Sequence, residues 1–361
     1  MSKIAIIGAA GEMGRWWAAQ YLKRDLEVIL SDTDQAKVEK VVRSFSNLYE
    51  GKVAYMPAEL AIKEASEVVI ATPLTQVEQV IEQYKELLRC KTVSDIASVK
   101  NGILHTLTST SKKSFSLHPM WGGATEGFEN QNLIIIPTRP LESDYQAFFC
   151  EMKERFREMG ANVIHVKDGQ EHDKLMAWTL GLPHYMHLAL AITQQQSGLG
   201  TALHYGRDSE PHLLSRICSE SVVNSDPNLY GPIQMRNAFV LPALDDFLNN
   251  ITRITKAITF GDMESIEADV QRALDYFSKG KDQYQHHQKE QQKYGVTLDA
   301  ALQKEMRFRQ EHGLINDVHS GNEIADLHGL YPLVHIAAGI TMSQSGIPFE
   351  DLSRVEGTTA T

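Results

Sequence analysis

The sequence predicts an α/β chain: an N-terminal doubly wound sheet followed by an all-helical domain. Three observations carry this expectation. Short apolar runs alternate with amphipathic stretches as far as Val166, the first run leads straight into a glycine turn over Gly8–Gly14, and no convincing strand follows Val166. Strand, helix and strand at that spacing predict a parallel sheet covered on both faces.

Strands are expected at Lys3–Ile7, Glu27–Ser31, Glu67–Ala71, Thr92–Asp95, Phe115–Leu117, Leu133–Ile136 and Asn162–Val166. Helical periodicity occupies Met13–Lys23, Gln35–Leu48, Gln76–Leu88 and Asp144–Met159. Beyond the sheet, Asp168–Gln196 reads as one long helix, or two broken at Pro183, followed by Pro211–Asn224, Leu229–Ala257 and Met263–Gln291. The expected domains are therefore 1–166, a helical domain over 167–291 that serves self-association, and a C-terminal extension over 292–361. Around its start, Gln283–Lys293 is polar and rich in His and Gln; further on, Tyr331–Ile340 is apolar enough for a buried helix, and Gly357–Thr361 should fray.

A length of 361 residues accommodates two domains, and 42% apolar with 22% charged residues suits a chain with a sizeable core. Thirty-five basic against 46 acidic residues give a net charge of -11, which argues against nucleic acid or an anionic membrane as the main partner. An anionic small molecule stays compatible, since a few placed cations dominate a pocket. Cys90, Cys150 and Cys218 are too far apart for a CxxC pair or a zinc set, which points to a reducing cytoplasm. Neither a signal-peptide pattern nor an apolar run of about 18 residues is visible. The 14 histidines include no HExxH and no matched carboxylate set, so no metal site is expected.

The segment Ile4-Ala-Ile-Ile-Gly8-Ala-Ala-Gly11-Glu12-Met13-Gly14 places a strand, a tight turn and a helix start in succession. Its spacing is GxxGxxG rather than GxGxxG, but the physical task is the same. Small residues close the turn, admit a pyrophosphate against the backbone and let helix and strand pack closely. The helix start near Glu12 offers free N–H groups and a positive dipole end. Asp32 closes the second strand, where a carboxylate accepts hydrogen bonds from adenine ribose hydroxyls and repels a 2′-phosphate. The expected cofactor is NAD rather than NADP, on a Rossmann-type domain, with Thr72 and Pro73 at the end of another strand lining the same edge.

Two further strand ends carry polar loops: Ser94-Asp95-Ile96-Ala97-Ser98-Val99-Lys100, and Ser116-Leu117-His118-Pro119-Met120-Trp121-Gly122-Gly123. A third segment, Glu171-His172-Asp173-Lys174-Leu175-Met176-Ala177, opens the helical half and leads to Leu182-Pro183-His184. Together with Asp226-Pro227-Asn228-Leu229-Tyr230, these resemble the prephenate/arogenate dehydrogenase family of tyrosine biosynthesis over roughly Lys3 to Gln291. That family carries a D-x-x-S-V-K loop, an H-P-M loop and an H-D…L-P-H helix pair in this order.

The resemblance implies an oxidoreductase acting on a cyclohexadienol carboxylate. Hydride passes to the nicotinamide, carbon dioxide leaves and the ring becomes aromatic. His118 then matches the catalytic base and Ser98 the serine bonded to it and to the substrate hydroxyl. His172 and His184 match pocket histidines, and Lys100 is a nearby cation. A neutral histidine is the natural base near pH 7. The family's arginine five residues before Asp-Pro is Ser221 here, so Arg216 or Arg236 is expected to anchor the substrate carboxylate. Some members carry a glutamate six residues beyond the histidine; Ala124 holds that place, with Glu126 nearby. The resemblance further implies a homodimer through the helical domain. Alternative readings are a dehydrogenase of a modified prephenate such as 4-amino-4-deoxyprephenate or of another cyclic hydroxy acid, and a non-catalytic NAD-sensing protein. A 3-hydroxyacid dehydrogenase is disfavoured, because its catalytic Lys needs an Asn one turn on and Lys174 has Trp178 there.

Overall fold

The computed structural model describes residues 3–129, 131–199 and 210–278. The expected extension over 292–361, including Tyr331–Ile340 and Gly357–Thr361, and the stretch Gln283–Lys293 lie outside the described residues.

β1 (Lys3–Ile7) runs through the glycine turn into α1 (Glu12–Leu22), and β2 (Glu27–Ser31) into α2 (Gln35–Ser46), which Asp34 caps by accepting from Lys37 N at 3.0 Å. Then follow β3 (Val53–Tyr55), α3 (Ala58–Glu64), β4 (Glu67–Ile70), α4 (Val77–Gln83), α5 (Lys85–Leu88), β5 (Thr92–Asp95), α6 (Ile103–Thr110) and β6 (Lys113–Pro119). β7 (Asn132–Pro137), α7 (Ser143–Glu158) and β8 (Asn162–His165) complete the sheet. Its strand order is β3-β2-β1-β4-β5-β6-β7-β8, with the chain reversing direction across the sheet beside β1.

β3, α3 and α6 escape the sequence reading. β3 has three residues on the sheet edge, none of them fully buried, and a run this short is not distinguished from a loop by pattern alone. The expected all-parallel sheet also needs correction: β7 runs antiparallel to β6, and β8 follows β7. Among the described residues of 120–131, which join β6 to β7, there is no helix, and a strand rejoins the sheet in parallel only by crossing over one face.

Alternation along the strands divides the core into two layers. Ile4, Ile6, Leu30, Val69, Phe115, Leu117 and Ile135 face α1 and α7, where Trp16, Trp17, Phe128 and Phe156 pack edge to face. Ala5, Ile7, Ile70, Val93, Ile134 and Ile136 face the opposite layer with Val77, Ile81, Leu107 and Met176. Register aligns Ile7 with Ser31 and Ile70, Ile70 with Asp95, and Asp95 with Ser116. The residues just beyond these positions therefore share the sheet's carboxyl edge.

α8 (Gly169–Met176) opens with Asp168 accepting from Glu171 N at 2.8 Å while Glu171 reaches back to Lys167 N at 2.8 Å. A π-turn, Ala177–Gly181, carries α8 into α9 (Leu182–Gln196), so of the two readings the continuous one holds and there is no break at Pro183. The wider turn accommodates a proline that has no N–H to donate. Gly181 is required there, because a Cβ would come within 2.7 Å of Val240 Cγ2. α10 (Glu210–Val223), α11 (Pro227–Arg236), α12 (Val240–Phe260) and α13 (Met263–Ser278) follow. The single helix expected over Leu229–Ala257 is two, with Asn237 extended between them and Asp226 capping α11 before Pro227.

The described chain groups into two compact units. The first holds residues 3–185 and 220–240, so α8 and α11 belong with the sheet; the second holds 186–199, 210–219 and 241–278. In the second, Arg253 of α12 and Arg272 both pair with Asp269 of α13, and Gln194 of α9 bonds His212 of α10 at 2.8 Å.

Candidate active site

The glycine turn is held from below and open above. Gly8 N and Ala9 N both donate to Ser31 O, at 2.9 and 3.0 Å. Gly8 has φ +89°, and a Cβ there would lie 2.6 Å from Ala71 O, so only glycine fits between β1 and β4. No side chain caps the first turn of α1 at Gly11, which leaves the amide groups around Glu12, Met13 and Gly14 and the helix dipole available to an anion. Asp32 accepts from Ala10 N at 2.9 Å and Asp34 N at 3.0 Å, which fixes its carboxylate beside the turn. Thr72 Oγ1, at the end of β4, is buried and, among the described residues, without a hydrogen-bond partner. A tight turn, open amides, a placed carboxylate and an orphaned hydroxyl fit a dinucleotide. Glu12 Oε1 accepts from Gly123 N at 3.0 Å and ties α1 to the loop after β6. The same loop is strapped to α1 by Trp16 Nε1 on Thr125 O and by Gln20 and Lys23 on Glu126 O.

Two strands further on lies a buried polar cluster. Alternation sends Ser116 and His118 of β6 and Asp95 of β5 to the face covered by α8. Lys100 Nζ donates to Asp95 Oδ1 at 2.8 Å and to Leu117 O at 2.7 Å. Asp95 also accepts from Ala97 N at 2.9 Å and from Ser116 Oγ. From α8, His172 Nε2 meets His118 Nδ1 at 2.9 Å, and His172 Nδ1 meets Asp173 Oδ1 at 2.8 Å. The Asp173 carboxylate accepts from Lys100 N and Asn101 N, each at 2.9 Å, and its backbone carbonyl accepts from Asn237 Nδ2 at 2.7 Å. His118 is 4% exposed and His172 0%.

Burial sets the protonation states. It drives His118 well below the ordinary histidine pKa of 6.5, helped by the neighbouring His172 and the Lys100 charge. His172 is pushed down to about 2 by burial first and by Lys100 second. Burial raises Asp173, against the two backbone amides and Lys100. Lys100 is lowered by its own burial, partly offset by Asp95. Both histidines are therefore neutral near pH 7, and His118 is able to accept a proton.

The structure gives the expected site residues these partners. Lys100, 1% exposed, spends its ammonium on Asp95 and on the Leu117 carbonyl and braces β5 against β6. Both ring nitrogens of His172 are engaged inside the protein, one with His118 and one with Asp173. Ser98 forms no hydrogen bond among the described residues, so the bond expected from it to His118 is not made, and His118 Nδ1 is bonded to His172. His184 of α9 stands edge-on to Tyr230 of α11, ring centroids 4.2 Å apart. Arg236 donates to Leu74 O at 3.2 Å and pairs with Glu78, beside Thr72 and Pro73. Arg216 is buried in the second unit.

The description "prephenate dehydrogenase, nucleotide-binding domain" matches residues 18–165, and "prephenate dehydrogenase, dimerization domain" matches residues 168–272. The chain belongs to the prephenate dehydrogenase family. A probable arogenate/prephenate dehydrogenase of Methanocaldococcus jannaschii is 23% identical over 279 residues, 76% of this chain and 60% of that protein. The T-protein of Enterobacter agglomerans is 26% identical over 221 residues, 61% of this chain and 58% of that protein. The chain spans about three fifths of the length of these curated relatives. Prephenate dehydrogenase from A. aeolicus, solved with hydroxyphenyl propionate and NAD+, shares the fold at TM-score 0.61 and 17% identity, over 76% of this chain and 97% of that one. A putative prephenate dehydrogenase from Corynebacterium glutamicum gives TM-score 0.62 at 17% identity, over 77% and 90%.

In this prephenate dehydrogenase family member, the glycine turn precedes the matched nucleotide-binding range, so its assignment stands on the geometry of Gly8 and Asp32. Asp173 and Asn237 were not expected at the site. Asp173 follows His172 directly in the quoted segment, and that adjacency was the only available signal. Asn237 sits in a helix break that periodicity does not reveal. Among the described residues, no helix is long and apolar enough to cross a membrane, and no group of three or more His, Cys, Asp or Glu is placed to hold a metal ion.

Proposed function

We propose that the chain is an NAD-dependent dehydrogenase that oxidatively decarboxylates prephenate or arogenate, giving 4-hydroxyphenylpyruvate or tyrosine. The observation that carries this reading is His118: a buried neutral imidazole on the strand edge that also holds the glycine turn, with only Nδ1 committed to a partner. Bound nicotinamide supplies the hydride acceptor. His118 Nε2 takes the proton of the substrate hydroxyl as the carbinol carbon loses hydride and becomes a carbonyl carbon. The bond from ring to carboxylate then breaks, its electron pair enters the ring, the carbonyl pair moves onto oxygen and carbon dioxide leaves; that oxygen recovers the proton held on His118 Nε2 and becomes the phenol hydroxyl. Aromatisation drives this last step, so the protein need only hold the substrate and one proton. Ser98, half-buried in the loop after β5, is free to contact the hydroxyl.

Arg216 and Arg236 are the candidate carboxylate anchors. A bidentate guanidinium matches two carboxylate oxygens, and a substrate would compete with Glu78 for Arg236. Ser221 in place of the expected arginine favours a second reading, a cyclic hydroxy acid without the usual carboxylate contact; a modified prephenate such as 4-amino-4-deoxyprephenate is the related alternative. NAD reduction assayed with prephenate, arogenate and 4-amino-4-deoxyprephenate side by side decides between them. Turnover of none of the three removes the proposed activity.

Cofactor choice follows from Asp32. NAD is expected to bind more tightly than NADP, and Asp32→Ser to narrow the gap, because the carboxylate that accepts ribose hydroxyls repels a 2′-phosphate. Equal or better NADP affinity in the wild type, measured by fluorescence titration, would overturn the assignment. A homodimer is supported by Leu241, Leu248, Ile251 and Ile258, which leave one stripe of α12 exposed at helical spacing. Free thiols at Cys90, Cys150 and Cys218 agree with a cytoplasmic site of action.

A further inference from the structure

The order of hydrogen bonds from α8 to β6 dictates where protons sit. Asp173 already accepts two backbone N–H groups, one on each oxygen, which favours its ionised, acceptor-only form. The bond at 2.8 Å to His172 Nδ1 therefore needs the proton on Nδ1. A neutral His172 then has a bare Nε2, and a bare nitrogen only accepts. Its 2.9 Å partner, His118 Nδ1, must be the donor. With its one proton on Nδ1, a neutral His118 carries a lone pair on Nε2.

We propose that Asp173 and His172 are positioning residues that fix the tautomer of His118, so that Nε2 is always presented without a proton. This rests on the reading of His118 as the base and deepens it. The opposite tautomer would set two lone pairs against each other at the Asp173–His172 contact, within a cluster that excludes water. Asn237 and the amides of Lys100 and Asn101 hold Asp173 from two other segments, so the relay is anchored at its far end. The charged groups facing the two rings are Lys100 and Asp95 from β5 and its loop and Asp173 from α8. Lys100 is neutralised by Asp95, which leaves Asp173 to stabilise the imidazolium formed when His118 takes a proton.

The test is the full chain labelled with 15N-histidine, read by long-range 1H–15N correlation at pH 7.5, with His118 assigned by its loss in His118→Asn. The expected wild-type spectrum has His118 protonated on Nδ1 and bare on Nε2. His172→Leu should populate the Nε2–H form and lower kcat about 10²-fold or more with KM within about threefold. His172→Gln, which keeps an acceptor near the same place, should recover part of the loss. A wild-type His118 protonated on Nε2 overturns the proposal, as does a His172→Leu enzyme with unchanged tautomer and kcat. If His172→Leu does not fold, the wild-type spectrum alone still decides. Full activity in His118→Asn would instead count against the base reading, a failure distinct from that of the tautomer.

Discussion

Replacing His118 with Asn is expected to lower kcat for NAD reduction about 10²–10⁴-fold, the usual contribution of a placed general base. Cofactor affinity should change little, because the dinucleotide turn sits on β1 and β2 and His118 on β6. Asn preserves a donor of similar size toward His172, so the cluster keeps its packing while the accepting nitrogen is lost. Ser98→Ala should cost less, since Ser98 makes no internal bond among the described residues. The pH profile carries an independent check. The active form is the neutral imidazole, and burial holds its pKa well below 6.5. The wild-type kcat/KM should therefore stay level as pH falls from 8 past 6.5, and drop only when pH passes through the depressed value. An acid limb at or above 6.5 would place the essential base on another group, and unchanged turnover in His118→Asn would end the proposed mechanism.

The second large effect concerns stability. Lys100→Met is expected to destabilise the sheet unit by about 3–5 kcal/mol, the range for breaking a buried ion pair by removing one partner. Lys100 and Asp95 are fully buried at 2.8 Å. Without the ammonium, the Asp95 carboxylate keeps only Ala97 N and Ser116 Oγ, and Leu117 O loses the Lys100 donor. All four tryptophans, Trp16, Trp17, Trp121 and Trp178, lie in the same unit, so their fluorescence during urea unfolding reports this loss directly. The double variant Lys100→Met/Asp95→Asn should recover part of the stability, because the uncompensated charge is gone. A midpoint shift worth less than about 1 kcal/mol in Lys100→Met would mean that the pair is solvated and does not brace the site.

The glycine turn was legible because its cause is local: β1, the tight turn and the start of α1 are consecutive in the chain, and Gly8 must be glycine for reasons of its own backbone angle and its nearest strand. The same holds for the apolar alternation of β1, β2, β4, β5 and β6, and for Asp32 at the end of β2. His118 was legible as a candidate because it follows a strand in a quoted motif. The partners of these residues were not. The family resemblance implies a pocket role for His172, and Lys100 reads as a cation near the site; the structure pairs Lys100 with Asp95, and His172 with Asp173 and His118.

By itself, then, the sequence determined most of the strands of the sheet and their order, the glycine turn after β1 and His118 as the candidate base. The tertiary structure alone decided that β7 reverses, that α8 and α11 join the sheet unit, and that His172 stands behind His118. His118 and His172 are separated by 54 positions and meet only when α8 packs against β6. Periodicity and spacing report which side chains face a common surface, but the tautomer of an imidazole depends on which donor lies within about 3 Å of it and whether water is excluded. That distance and that exclusion come from packing between segments remote in sequence.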